Sequence, residues 1–468
     1  MDLVPIPPVA DELAVRLAAA GHRLYLVGGS VRDALLGPTL RAGQQTDLDF
    51  TTDARPPAVL AALEGWAEAV WDTGIAFGTV GARRRGITVE ITTFRADAYD
   101  RIGRNPVVAF GDTIEDDLVR RDFTVNAMAV ELTAERRFVD PHGGLAALAA
   151  GTLDTPATPE ESFADDPLRM LRAARFVSQL GLTPAARVVA AMTAMAGELD
   201  RITRERVQAE LTKLILGAHP RRAIELMVDT GLCAHVLPEV PAMRLAIDEH
   251  MQHKDVYTHS LVVLEQAIER ETAGPDLVLR LAALLHDIGK PATRRKEPDG
   301  RVSFHHHEVV GAKLTRRRLR ELRYPRAVVD EVSQLVFLHL RFHGYGTGEW
   351  TDSAVRRYVT DAGPLLDRLH TLVRSDSTTR NRRRAAALQR SYDSLEQRIA
   401  ALRAQEELDA IRPDLDGNAI MGLLGIPPGP LVGRAYKHLL ALRMERGPLG
   451  LEQAEAELRR WASENGLP

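Results

Sequence analysis

At 468 residues the chain exceeds what one hydrophobic core organises, and at roughly 150 residues per domain it predicts about three units. Its 45% hydrophobic content is ordinary for a globular protein, and no apolar run approaches the ~20 residues of a membrane span. The net charge of −4 excludes a chain that holds nucleic acid by bulk positive charge, while leaving room for a local basic groove. Six lysines in a Lys+Arg total of 60 leave 54 arginines, so arginine clusters mean little unless their spacing is informative.

The N-terminal MDLVPIPPVADEL has no basic stretch followed by an apolar one. It does not read as a secretory signal, and the expected location is cytoplasmic with no membrane partner. From there to about Asp140, short β-like runs (RLYLVGG, TDLDFTT, FGTVGARRRGITVEITTFR, FTVNAMAVEL) alternate with helical stretches. The turn LVGGSVRDALLG, Leu26 to Gly37, places two glycines after an apolar run, as phosphate-binding turns do. Its spacing does not fit G-x-G-x-x-G, and no G-K-[ST] follows to make an NTPase loop. In TDLDF, Asp47 and Asp49 alternate with Leu48 and Phe50, so both carboxylates share one strand face and form a seat for hard divalent ions. In ITVEITTF, Glu90 alternates with Val89 and Ile91 and is a candidate third carboxylate on a neighbouring strand. Two Mg²⁺ ions held there would activate a hydroxyl and neutralise a triphosphate during in-line displacement.

From about Leu145 the pattern becomes almost unbroken helical periodicity, with breaks near Gly217 to Pro220, Gly274-Pro275 and Arg412-Pro413. The fold class is therefore α+β at the head followed by an all-helical body. Cys233, the single cysteine, sits in the apolar context ELMVDTGLCAHVL and is expected to be a buried thiol with no chemical role.

The motifs GG-x-VRD, D-x-D, VE-x-TTFR, RRDFTVNAMA from Arg120 and DPHGG from Asp140 occur in that order. Together they resemble the class II tRNA nucleotidyltransferase and bacterial poly(A) polymerase family, which includes the CCA-adding enzymes; the matching motifs run from Leu26 to about Leu211. The resemblance implies a polymerase β-like head with a mixed sheet, a helical neck, and Mg²⁺-dependent transfer of CMP and AMP from CTP and ATP to the 3′ end of tRNA, with no DNA partner. It assigns Asp47 and Asp49 as metal ligands, Gly28, Gly29 and Arg32 to the triphosphate, and Arg121 and Asp122 to the ribose, with Asn126 in the same motif. Phe123 and Met128 are expected to pack.

FADDPLRMLRAARF matches the family's E-D-x-x-R motif, with Asp165 where Glu is usual, then Asp166 and Arg169 three apart on one helix face. Cytosine and adenine each present an amino donor beside an unprotonated ring nitrogen, which an Asp–Arg pair complements; uracil and guanine present the opposite pattern. Arg172, Arg175 and RITRERVQAEL resemble the family's neck motifs, where packing and salt bridges are expected to outweigh catalysis.

Farther on, His259, His286-Asp287 and Asp376 resemble the ligand order of the HD phosphohydrolases, which implies a second divalent metal; His307 in FHHHEVVGA matches an auxiliary position. Imidazole and carboxylate together suit transition metals as well as Mg²⁺. That resemblance also implies a phosphatase or 2′,3′-cyclic phosphodiesterase side activity. The tail, with its two helices around GIPPGP, resembles the tRNA-gripping region of the bacterial enzymes. The expected domains are a head over 1–145, a neck over 146–218, an HD body over 219–385 and a tail over 386–468. Alternatives left open are a poly(A) polymerase, a CC- or A-adding specialist, an HD hydrolase with a nucleotide-sensing head, and a noncatalytic RNA-binding module.

Overall fold

Helix α1 (Pro8–Ala19) opens on Pro8, whose missing N–H is harmless in a first turn, and buries Val9, Leu13 and Leu17 along one face. The computed structural model describes residues 4–37, 47–96, 109–245, 255–299, 302–342, 350–378, 381–405 and 411–467. The chain divides into two units, Met1–Val236 and Leu237–Pro468; the division falls inside the stretch 219–385.

In the first unit, β1 (Leu24–Val27), α2 (Gly29–Leu36), β2 (Asp47–Thr52), α3 (Pro56–Leu63), β3 (Ala69–Trp71), β4 (Thr79–Arg84) and β5 (Ile87–Thr93) follow in order. The short β6 (Arg95–Ala96) pairs with β7 (Ala109–Phe110), and α4 (Ile114–Val119), β8 (Ala129–Glu131) and β9 (Phe138–Val139) complete the sheet region. Seven strands lie in the order β3-β4-β5-β2-β1-β8-β9. The β2–β5 pair is parallel and the other pairs are antiparallel, so the sheet is mixed. β4 and β5 are joined by Arg85 and Gly86, both at positive φ, as a tight two-residue hairpin requires.

Alternation decides what each face meets. Leu24, Leu26, Leu48, Phe50, Val80, Val89 and Ile91 bury with α1 and α3 on one side. Tyr25 and Val27 turn the other way, into a smaller cluster with Phe94, Ile114 and Leu118. The segment FTVNAMAVEL is a strand only in its second half: Thr124–Asn126 forms a 3₁₀ turn before β8.

Helices then dominate: α5 (Gly144–Ala149), α6 (Pro159–Asp165), α7 (Leu168–Leu180), α8 (Ala186–Met195), α9 (Arg204–Ile215), α10 (Pro220–Asp229) and α11 (Leu232–Val236). One small parallel pair, β10 (Thr152–Leu153) with β11 (Thr183–Pro184), interrupts them. α6 is capped by the Thr158 hydroxyl, and α7 stops at Gly181 in left-handed conformation. Cys233 is buried, and Phe123 and Met128 are fully buried.

The second unit begins with α12 (Glu239–Ala242), α13 (Val256–Glu269), α14 (Leu277–Leu285) and α15 (Lys290–Thr293). The hairpin β12 (Arg295–Lys296) and β13 (Val302–Ser303) leads to α16 (His307–Glu321), α17 (Arg326–Leu338), α18 (Asp352–Ala362), α19 (Leu366–Asp376) and α20 (Arg382–Gln405). α14 is buried on every side from Val278 to Leu285, which marks it as the central helix; α13, α17 and α19 pack on it. The tail helices α21 (Gly417–Leu424), α22 (Pro430–Arg446) and α23 (Leu451–Glu464) enclose their own core around Ile420, Leu439, Leu458 and Trp461. Among the described residues no helix is long and apolar enough to cross a membrane.

Candidate functional site

Phe50 and Leu48 anchor β2 in the core, so Asp47 and Asp49 project from its opposite face. Parallel pairing sets Asp49 directly beside Glu90 on β5, and paired residues share a face. Three carboxylates therefore occupy one patch of sheet. Although all three keep exposed surface, the surrounding protein displaces water and raises the carboxyls of Asp49 and Glu90. Mutual repulsion adds to the rise, while Arg121, Arg172 and Arg32 oppose it at Asp49. Crowded, desolvated carboxylates are relieved by a divalent cation, and an all-oxygen donor set suits a hard one.

Gly28 ends β1 at φ +69, and a Cβ there would stand 3.1 Å from Arg121 Nη1 and 3.7 Å from Asp49 Oδ2. A side chain would thus intrude on the carboxylates as well as strain the turn. Gly29 opens α2, and Ser30 Oγ accepts a hydrogen bond from the Asp49 backbone N–H at 3.3 Å. The glycine turn and the metal-type strand are in this way fastened together.

Behind them runs a polar network. Arg32 donates to Asn126 Oδ1 at 2.6 Å, Asn126 donates to Asp122 Oδ1 at 3.0 Å, and Arg172 donates twice to Asp122 Oδ2, at 2.8 and 2.5 Å. Arg172 and Arg175 both reach Glu210, Arg175 at 2.8 Å. Burial alone would raise Asp122, but Arg172 and the hydrogen bonds from Asn126 and Arg172 outweigh it and hold the carboxyl well below the usual range. Burial lowers Arg175 to about 10 despite Glu210. Arg121, by contrast, pairs with Asp117 at 2.9 Å and turns toward Gly28 and Asp49.

In front of this network is a pocket of about 370 Å³ with Asp49, Glu90, Arg121, Asp122, Asp166, Arg169 and Arg172 in its wall. The pocket unites Asp49 and Glu90 with the Asp166–Arg169 pair, which lies more than seventy residues farther along the chain than either. One expectation needs correction: Asp166 and Arg169 do not share a helix. Asp166 is in extended backbone where α6 ends, and α7 begins only after Pro167. A residue before proline is pushed out of helical conformation. Asp166 Oδ1 instead accepts from the Leu168 N–H at 3.2 Å, while Arg169 is fixed by Ser162 Oγ at 2.8 Å and Arg120 O at 2.7 Å. Asp166 Oδ2 is held by Arg206 at 2.7 Å. Arg206 and Glu210 lie in the RITRERVQAEL motif and Arg95 in VE-x-TTFR, but none of them was assigned to the site from sequence; Asp117, which reaches it from α4, carries no local signal.

In the second unit, α14 ends at His286, with Asp287 following. His259 from α13 and Asp376 from α19 meet them: His259 Nε2 lies 2.9 Å from Asp376 Oδ1 and 3.3 Å from His286 Nε2. Burial disfavours charge on His286, but Asp287 and Asp376 outweigh it and raise it to about 10, so a positive charge is wanted at that point. His307 at the start of α16 faces Asp287 Oδ1 at 3.3 Å, and His339, not anticipated, stands beside it. A mixed nitrogen and oxygen set of this kind fits a first-row divalent ion.

Three family models match: a poly A polymerase head domain over residues 24–154, a probable RNA- and SrmB-binding site of polymerase A over 181–243, and an HD domain over 256–401. The head and HD matches both imply use of divalent metal. The A-adding tRNA nucleotidyltransferase of Deinococcus radiodurans is 36% identical, covering 98% of this chain and 98% of that protein. The CCA-adding enzyme of Anoxybacillus flavithermus is 29% identical over 94% of this chain and 93% of its own. In fold, the Bacillus stearothermophilus CCA-adding enzyme in complex with CTP superposes with a TM-score of 0.69 at 24% identity, covering 98% of this chain and 99% of that one. Full-length identity of this order, on a head whose carboxylate patch and glycine turn are both intact, leaves one conclusion: the chain belongs to the tRNA nucleotidyltransferase family, with a poly(A) polymerase-type head and an HD domain.

Proposed function

We propose that the first unit adds nucleotides, without a template, to the 3′ end of tRNA lacking its CCA, using CTP and ATP and releasing pyrophosphate. The observation that carries this reading is the pocket in which Asp49 and Glu90, on the sheet face that also bears Asp47, are joined to Asp166 and Arg169. Two Mg²⁺ ions, when bound, supply charge neutralisation on the triphosphate and activation of the 3′ hydroxyl. Asp47 and Asp49 would hold them, with Glu90 beside. Gly28 and Gly29 admit the triphosphate to the backbone, and Arg121 offers it a guanidinium. The ribose role for Asp122 is better assigned to its neighbourhood, since Asp122 is occupied by Arg172 and Asn126; it holds Arg172 in place directly and Arg32 through Asn126, while Glu210 holds Arg175. Asp166 would accept the amino group of cytosine or adenine, a carboxylate having more lone pairs than its two partners use, and Arg169 would donate to the ring nitrogen.

One observation favours a second reading, in which only the terminal A is added: the relative from Deinococcus radiodurans bears that name. Incubating the protein with tRNA ending before the CCA, after the first C and after CC, with CTP and ATP alone or together, separates the two. Full CCA on the shortest tRNA supports the proposal; extension of the CC-ending tRNA alone supports the second reading. Tails on an unstructured oligoribonucleotide would make it a poly(A) polymerase. For the second unit we propose one divalent ion at His259, His286, Asp287 and Asp376, serving hydrolysis of a phosphate ester, and for the whole protein a cytoplasmic location.

A further inference from the structure

Thr92 and Arg95 stand in the wall of the head's pocket without a part in the reading above. Their place follows from the order of the strands. Across the sheet run β1, which ends in the glycine turn, then β2 with Asp47 and Asp49, then β5 with Glu90, and β4 beyond it. Glu90 and Thr92 are two apart on β5 and so share a face. Thr92 pairs with Thr79 on β4, and their hydroxyl oxygens are 3.0 Å apart. Arg95, just past the end of β5, donates from Nη2 to Thr79 Oγ1 at 3.0 Å. In the direction across the sheet, the glycine turn and the Arg95 guanidinium therefore flank the carboxylates on opposite sides.

An in-line displacement needs that separation, because the attacking oxygen and the departing pyrophosphate lie on opposite sides of the phosphorus. With the triphosphate at the glycine turn, the pyrophosphate is on the β1 side of the carboxylates. The 3′ end of the acceptor then comes in over β5, where Arg95 meets it. Its backbone N–H is tied to Asp117 Oδ1 at 3.3 Å and one end of its guanidinium to Thr79. Its Nε is buried and finds no hydrogen-bond partner among the described residues. Burial works against its charge and Arg120 and Arg121 repel it, with Asp117 opposing them. A crowded guanidinium with an N–H to spare is a donor placed for an anion. The anion carried by a 3′-terminal nucleotide is the phosphodiester on its 5′ side.

We infer that Arg95, steadied by Thr79, binds the acceptor RNA by the phosphodiester that joins its 3′-terminal nucleotide to the rest of the strand. This rests on the proposed nucleotide addition and deepens it by giving the second substrate its place on the β5 side of the carboxylates.

The test is addition of a single nucleotide to the tRNA end that the protein extends, with tRNA and nucleotide varied in turn. Arg95→Ala keeps the backbone N–H that Asp117 holds. It should raise KM for tRNA about tenfold, as loss of a charge-assisted hydrogen bond does, and leave KM for the nucleotide within about twofold. The same reaction on tRNA whose 3′-terminal linkage is an uncharged methylphosphonate reads the contact itself. The parent should lose about tenfold in kcat/KM for tRNA, and Arg95→Ala should lose nothing more. An equal loss in both proteins, or a rise in KM for the nucleotide instead of tRNA, overturns the inference and leaves nucleotide addition standing. A parent that extends no tRNA end defeats the reading of the head and the inference with it. If Arg95→Ala does not fold, Arg95→Gln takes its place in both comparisons.

Discussion

Asp166 sits where a helix break exposes its carboxylate, and its first oxygen is already committed to a backbone N–H. On the proposed reading, base choice depends on the second oxygen, which Arg206 holds at 2.7 Å, and on Arg169. Asp166→Ala removes the acceptor and keeps the metal face, so discrimination of CTP over UTP should fall about 100-fold, from misplaced groups worth roughly 1–3 kcal/mol each. Competing CTP against UTP in primer extension measures this, and unchanged discrimination would sink the assignment. Gly28→Ala combines left-handed strain of about 1 kcal/mol with a Cβ 3.1 Å from Arg121, so activity should drop at least tenfold while the protein stays folded by circular dichroism. Asp122 gives a pH signature. Its folded carboxyl titrates below the unfolded value of about 3.9, so its contribution is present above that value and is lost as pH falls toward the folded one. Asp122→Asn should therefore lower stability by about 2 kcal/mol at pH 7, with the gap to the parent narrowing as pH falls below about 4. Urea midpoints measured from pH 7 to pH 3 would show a constant gap if Asp122 is not the titrating group.

At the scale of elements, the register between β2 and β5 is what makes Glu90 a neighbour of Asp49. That was legible in the sequence because a strand's period of two assigns Asp47, Asp49 and Glu90 to one face as soon as Leu48, Phe50, Val89 and Ile91 are assigned to the core. Glu90→Gln should reduce nucleotide transfer at least tenfold at fixed Mg²⁺ and be partly recovered at higher Mg²⁺, a rescue that a purely structural role would not give. Periodicity does not show which elements meet. The helix broken at Pro167 was read as continuous because DDPLRMLRAARF keeps its apolar spacing across the proline. Arg206 reaches Asp166 across forty residues, and its motif RITRERVQAEL does not say which of its arginines does so; His339, at the end of the amphipathic α17, closes on His307 across thirty-two, where nothing local separates a ligand from a core residue. The His-Asp pair stood out because it follows a helix that is apolar except for Arg280, where two further polar residues need a reason to be buried.

For the molecule as a whole, the two units hold separate clusters of chemistry: the carboxylate face of Asp47, Asp49 and Glu90 in the first, and the histidine–aspartate groups able to hold a metal in the second. Anything that binds only the folded form of one unit stabilises that unit by RT ln(1 + [L]/Kd), about 2.7 kcal/mol at a hundredfold excess over Kd. The head's oxygen donors prefer a hard ion together with a triphosphate, and the body's imidazoles prefer a softer one. Calorimetry should accordingly resolve responses of different origin. CTP with Mg²⁺ should raise a transition that Asp49→Asn abolishes, and Mn²⁺ or Ni²⁺ without nucleotide should raise one that His286→Ala abolishes. The His286→Ala protein should still add nucleotides to tRNA at close to the parent rate, since the described residues that line the head's pocket all belong to the first unit. If the two variants each erased both responses, or if His286→Ala stopped nucleotide addition, the units would have to be energetically coupled and the separation of the two chemistries would be wrong.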